Sequence, residues 1–307
     1  MLISRRDFLK YCGATAGALG LTASGFARLQ EVLSLEGGQP VVWLQGQNCT
    51  GCSVSLLNTI HYMTIDELLL NTIDLEFHST VMAAAGDLAV SAAESALSSG
   101  GYVLVVEGAI PTAEDGRYCY LWPGMTALDG VRAFSENAAA ILAVGTCAAY
   151  GGIPAGDPNP TRAKGVSEIL EGKPVVNLPG CPTHPDWIVG TIAHLLAYGE
   201  VLPLDSKGRP KAYYQRTVHS DCPNQKHHAQ NFFAEELSEA GCLSKLGCQG
   251  QWTGADCPVR KWNSGGAGEY GVNWCIEARN PCQGCTEPDF PDGKSPLYTL
   301  EHPGKAS

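Results

Sequence analysis

The stretch "VVWLQGQNCTGCSVSLLNTIHYM", residues 41–63, decides the fold. Its first five residues, VVWLQ at 41–45, read as a buried strand. A glycine-containing loop then places Cys49 and Cys52 three apart, and SVSLLNTIHYM reads as the following helix. The same alternation continues outward: IDLEFHS (73–79) is a second strand and GDLAVSAAESALSSG (86–100) a second helix. YVLVVEG (102–108) is a third strand, and AAILAVG (139–145) a fourth after the helix-like ALDGVRAFSEN. KPVVNLPG (173–180) is a fifth strand before the helix PDWIVGTIAHLLAYG. Short apolar strands alternating with helices predict an α/β domain with a parallel, doubly wound sheet.

Placed on that sheet, four cysteines share an edge. Cys49 and Cys52 follow the first strand, Cys147 follows AAILAVG and Cys181 follows KPVVNLPG, all at carboxyl ends. In an open parallel sheet ligands bind at this edge, and helix N-termini there favour an anion. A cuboidal iron–sulfur cluster bound by four thiolates is such an anion, whereas two disulfides at this edge would need no common point of convergence. One 4Fe–4S cluster on Cys49, Cys52, Cys147 and Cys181 is the favoured reading. Glu107 ends the third strand at the same edge, where it assists proton movement or bonds backbone amides.

The start of the chain bears on compartment. SRRDFLK (4–10) precedes a short, weakly apolar run of small residues, which reads as an export signal and not a membrane span. Arg5 and Arg6 followed by Phe8 and Leu9 resemble the twin-arginine type, whose route exports folded proteins to the periplasm. Cleavage near Ala27 leaves about 280 residues, enough for two domains. The formal charge of −11 becomes −13 without residues 1–27, and −12 of that falls in residues 28–200. Nucleic acid is an unsuitable partner for so acidic a chain. No later apolar stretch is long enough to cross a bilayer, so no transmembrane anchor is expected.

Beyond about residue 200 the alternation stops, and the chain reads mostly as loops with one short helix. Seven of the 13 cysteines fall there: Cys222, Cys242, Cys248, Cys257, Cys275, Cys282 and Cys285. A segment with so few regular apolar runs needs cross-links or metals to hold a fold. Seven is odd for disulfides, while His219 with these cysteines makes eight ligands, the complement of two clusters. An exported binding module stapled by disulfides or zinc is the alternative. His227 and His228 read as ordinary surface or hydrogen-bonded histidines, and Cys119 as a buried structural thiol.

Taken in order, CTGCSVSLLN, VEGAIPTAEDGRYC, AVGTCAAYGGIPA, NLPGCPTHPDWIVGT, HSDC, CLSKLGCQG, ADCPVRKWN and NPCQGCTEPDFPD resemble the small subunit of periplasmic nickel–iron hydrogenases, with greatest likeness to the nickel–iron–selenium subgroup. The resemblance implies a flavodoxin-like domain at 28–200 after the signal at 1–27, and a loop-rich iron–sulfur domain at 201–307. It further implies three 4Fe–4S clusters in a row. The proximal one lies on Cys49, Cys52, Cys147 and Cys181, the distal one on His219, Cys222, Cys242 and Cys248, and the medial one on Cys257, Cys275, Cys282 and Cys285. Cys275 stands where many relatives have proline, so a 4Fe–4S medial cluster is expected in place of the 3Fe–4S alternative. The resemblance also implies a large-subunit partner that holds the nickel–iron centre and a periplasmic multihaem cytochrome c as electron partner. Oxygen-tolerant relatives carry two further cysteines at positions matching Gly51 and Gly152, and this chain lacks them. A cluster-bearing subunit of quinone-reducing complexes is the related alternative.

Overall fold

The computed structural model describes residues 38–293, so the export signal and Cys12 lie outside the described residues. Five parallel strands form the central sheet: β1 (Gln39–Gln45), β2 (Ile73–His78), β3 (Val103–Glu107), β4 (Ala140–Val144) and β5 (Val176–Leu178). Their order is β2-β1-β3-β4-β5, the flavodoxin-like winding. The chain steps from β1 out to β2 and returns on the other side as β3, which puts the topological switch point between β1 and β3.

The apolar runs of the strands bury both faces. Val41, Trp43, Val103, Val105, Leu142 and Val144 point to one core, and Val42, Leu44, Leu104, Val106, Ile141 and Ala143 to the other. This is the period-two alternation of side chains across a strand. Helices α1 (Gly51–Leu57) and α5 (Pro185–Tyr198) cover the first face, while α2 (Asp87–Ser99), α3 (Ala127–Glu136) and α4 (Thr146–Tyr150) cover the second. Local chemistry sets several of the ends. Thr126 Oγ1 accepts from Asp129 N at 3.0 Å to cap α3, and Pro185 opens α5 at the first-turn position where its missing N–H costs nothing.

The helix expected over 53–63 differs from the observed one. It begins two residues earlier, inside the C-x-x-C loop, and ends at Leu57. Asn58 Nδ2 donates to Val54 O at 2.7 Å, and Thr59 N closes a tight final turn onto Leu56 O at 2.9 Å. His61 Nδ1 is then engaged by Glu269 O at 2.6 Å, so the chain leaves the helix to meet a segment more than two hundred residues away. Tertiary contact overrides an apolar pattern here.

After α5 the chain is loop-rich, as anticipated, but it holds several single helical turns instead of one short helix. These include α6 (Val218–Asp221) and α7 (Cys257–Arg260), followed by an antiparallel pair β6 (Trp262–Ser264) and β7 (Gly271–Asn273). This part has no separate core among the described residues. Val218, Ala234, Leu243, Trp274 and Ile276 join the core beneath α1 and α5. The junction is locked by Arg260, whose guanidinium donates to Tyr62 Oη at 2.9 Å, Asp186 Oδ2 at 3.0 Å and Asp256 Oδ2 at 2.9 Å.

Candidate metal centres

The twelve cysteines of the described residues are all free. Eleven of them fall into three neighbouring groups. The first occupies the carboxyl edge of the sheet. Thr50, between Cys49 and Gly51, holds the left-handed conformation at φ 62°, a costly one for a β-branched residue, and so turns the C-x-x-C loop back over the sheet. Cys52 enters α1 as a buried residue whose Sγ accepts from Thr183 N at 3.5 Å. Burial and then the negative charge of Glu107 push its thiol well up. Cys147 lies in the first turn of α4; burial, followed by the neighbouring charge of Cys181 and of Cys49, pushes its thiol up to about 12. Cys181 is raised by burial and then by Cys49. Cys52, Cys147 and Cys181, raised in this way, ionise readily only against a cationic centre placed among them.

Two glycines make this convergence possible. A Cβ on Gly145 (φ +92°) would stand 2.7 Å from Cys52 Sγ, and one on Gly152 (φ +48°) would stand 2.8 Å from Cys147 N and 3.0 Å from its Sγ. Gly51 is similarly close, with its notional Cβ 3.0 Å from Cys49 Sγ. The two positions expected to lack extra cysteines are thus packed directly against Cys49 and Cys147.

The second group surrounds a cavity of about 580 Å³ lined by Cys181, Cys257, Cys275, Cys282 and Cys285 with Trp187. Cys257 is raised well above the ordinary thiol value by burial and then by Cys285, and Cys285 is pushed up to about 12, by burial and by Cys275 and Cys181. Thr253 Oγ1 lies 3.7 Å from Cys282 Sγ. The third group joins Cys222, Cys242 and Cys248: besides burial, Cys248 and Cys242 raise the Cys222 thiol, and Cys242 raises that of Cys248. His219 brings its backbone to the same place. Its N–H donates to Gly250 O at 2.8 Å, and its carbonyl accepts from Cys222 N at 3.3 Å. Burial, then His228, lowers the His219 pKa and keeps the imidazole neutral, the form that ligates metals.

The groups form a continuous row. Thr146 Oγ1, at the first group, donates to the Cys285 carbonyl of the second, and Cys282 N donates to Cys248 Sγ of the third at 3.4 Å. Among the described residues no three His, Cys, Asp or Glu side chains converge on a single metal ion. A zinc staple needs such convergence, with sulfur about 2.3 Å from the metal, whereas a multi-iron core holds its thiolates further apart. Thiols in three neighbouring groups are the donor set that suits iron–sulfur clusters.

For other residues the structure settles roles that the motifs leave open. Glu107, read as either a proton carrier or a partner of backbone amides, is the latter: it accepts from Cys52 N at 3.0 Å and Ser53 N at 3.3 Å. His228 is a hydrogen-bonded histidine, its Nε2 meeting Gln251 Nε2 at 2.8 Å, and its ring also packs against that of His219 at 4.9 Å. Cys119 stands apart, packed against the second core with its thiol raised by burial.

A flavodoxin-like sheet with a row of thiol groups running from its carboxyl edge defines a redox subunit. A family model described as the NADH ubiquinone oxidoreductase 20 kDa subunit matches residues 49–195, and one for the C-terminal part of the NiFe/NiFeSe hydrogenase small subunit matches residues 214–298. The chain is 43% identical to the periplasmic NiFeSe hydrogenase small subunit of Desulfomicrobium baculatum, over 98% of this chain and 100% of that one. It is 40% identical to the periplasmic NiFe hydrogenase small subunit of Solidesulfovibrio fructosivorans, over 96% and 93% of the two chains. The recombinant NiFeSe hydrogenase of Desulfovibrio vulgaris Hildenborough superposes with a TM-score of 0.79 at 45% identity, covering 87% of this chain and 99% of that chain. The chain belongs to the small subunits of NiFe/NiFeSe hydrogenases, and works as one part of a heterodimeric hydrogenase. No helix among the described residues is long and apolar enough to cross a membrane.

Proposed function

We propose that this small subunit relays electrons between a nickel–iron centre in the large subunit and a periplasmic cytochrome c, through three 4Fe–4S clusters. The ligands are Cys49, Cys52, Cys147 and Cys181 for the proximal cluster, then Cys257, Cys275, Cys282 and Cys285 for the medial one, and His219, Cys222, Cys242 and Cys248 for the distal one. The signal at residues 1–27 exports the folded protein by the twin-arginine route, and residues 28–200 and 201–307 form its flavodoxin-like and iron–sulfur domains, which share a core among the described residues. The observation that carries the reading is the row itself, in which Cys282 N reaches Cys248 Sγ and Thr146 reaches the Cys285 carbonyl.

When bound, the clusters supply one-electron redox centres. This chain supplies their setting. Cys52 and Cys282 are buried and hold their own sulfurs away from water, and the N–H groups of Thr183 and Cys282 donate to thiol sulfurs of the first and third groups. His219, a neutral ligand in place of a thiolate, makes the outermost site one negative charge lighter than the others. Hydrogen is split in the large subunit, so this chain needs no acid–base pair for that step.

The test is purification of the heterodimer and of the small subunit alone. The small subunit should carry about twelve irons and no hydrogenase activity. A stable, cluster-loaded chain that never acquires a nickel-containing partner would defeat the reading, as would activity without that partner.

A further inference from the structure

Glu107 is 2% exposed, yet its carboxyl accepts five hydrogen bonds from four residues. Its Oε1 accepts from the backbone N–H groups of Cys52 (3.0 Å) and Ser53 (3.3 Å). Its Oε2 accepts from Trp43 Nε1 (3.0 Å), Gln45 Nε2 (3.3 Å) and Ser53 Oγ (2.5 Å). Only the Ser53 hydroxyl among these could accept a hydrogen, and it directs its own at Glu107, so the side chain is held as a carboxylate. The next shell is oriented the same way. Thr80 N donates to His78 Nδ1 at 3.1 Å, which leaves the imidazole hydrogen on Nε2, 3.1 Å from Ser53 Oγ; Ser53 in turn gives its own hydrogen to Glu107. Trp43 and His78 are stacked at 5.2 Å, holding both donors in place. Burial lowers the His78 pKa and keeps the ring neutral. The pocket under the C-x-x-C loop therefore contains one uncompensated negative charge.

We propose that Glu107 sets the reduction potential of the first cluster, holding it low. The proposal rests on the assignment of Cys49, Cys52, Cys147 and Cys181 as ligands of one cluster. Two effects act in the same direction. An added electron makes the cluster more negative, and a fixed carboxylate one residue contact away opposes that change. The N–H groups of Cys52 and Ser53, which would otherwise stabilise the reduced cluster, are turned toward Glu107 instead. Glu107 is a positioning residue: it touches the backbone of a ligand and acts through it.

The test is a redox titration of the intact heterodimer followed by electron paramagnetic resonance. In Glu107→Gln, the reduced-to-oxidised ratio of one iron–sulfur couple at fixed potential should rise about tenfold, equivalent to about 59 mV for one electron, with the other couples unmoved. An unmoved couple, or an equal shift in all of them, would overturn the proposal. Should Glu107→Gln lose its iron, Trp43→Phe decides, because it keeps the charge and removes one compensating donor. That couple should then move to lower potential, and an unchanged or raised value overturns the proposal. A wild type without cluster signals would overturn the ligand assignment and this proposal together, and would be seen before any variant is made.

Discussion

Cys275 lies at the rim of the cavity shared with Cys257, Cys282 and Cys285, and its carbonyl accepts from Asn280 N at 2.9 Å, which closes the loop around it. Proline at this position offers no thiolate. Cys275→Pro should convert the proposed medial 4Fe–4S cluster to a 3Fe–4S centre and remove about one iron per chain. Electron paramagnetic resonance of the oxidised protein checks it: the variant should show a stoichiometric 3Fe–4S signal that the wild type lacks. At the other end of the row, His219→Cys adds a thiolate beside Cys222 and Cys248. It should leave hydrogen–deuterium exchange by the heterodimer intact while slowing reduction of the acceptor cytochrome. Equal losses in both measurements would mean that the substitution disturbs assembly.

At the scale of elements, the contact between α5 and α7 is a buried ionic one. Arg260 is flanked by Asp186 on α5 and by Asp256, and Trp187 Nε1 donates to the other oxygen of Asp256 at 2.9 Å. The guanidinium also lies over the Tyr213 ring at 5.4 Å. A buried pair need not stabilise relative to apolar packing, but removing one member strands the others. Arg260→Leu should cost about 3–5 kcal/mol, because Asp186 is left buried without its counter-charge. Denaturant unfolding of the holoprotein measures it, and the double variant Arg260→Leu with Asp186→Leu should recover much of the loss. Since α7 begins at Cys257, the same substitution should loosen the medial site.

Across the whole molecule, Glu287 ties the last described loops back toward the sheet. It accepts from Arg209 at 2.9 Å and Gly254 N at 2.7 Å and pairs with Lys207. Burial alone would raise its pKa; the Lys207 ammonium, the Gly254 N–H and Arg209 overcome that and hold it below the usual carboxylate range. A carboxyl depressed in the folded state stabilises it above the unfolded value of about 4.3, and that contribution disappears as pH falls through the lower folded value. Thermal stability should therefore drop on acidification below about pH 4.5, and Glu287→Gln should flatten that drop while lowering stability at neutral pH. A wild-type-like acid profile in the variant would assign the effect to other carboxylates, Asp205 first among them.

What the sequence determined by itself is the part written in local periodicity. Apolar runs such as YVLVVEG specify strands buried on both faces, and a residue that follows such a strand must stand at the carboxyl edge; Cys49, Cys52, Cys147 and Cys181 were legible for that reason. The loop-rich segment has no such period. That Cys248 stands beside Cys282, 34 residues on, and that Cys285 answers to Thr146 and Cys181 depend on long-range contacts that spacing does not encode. The same holds for the early end of α1, drawn off by Glu269, and for the closed ring of donors around Glu107, assembled from β1, α1 and β3. These features exist only once strands distant in the chain are adjacent in space, because a hydrogen bond or a shared thiol pocket is set by a few ångströms of separation and not by position along the sequence.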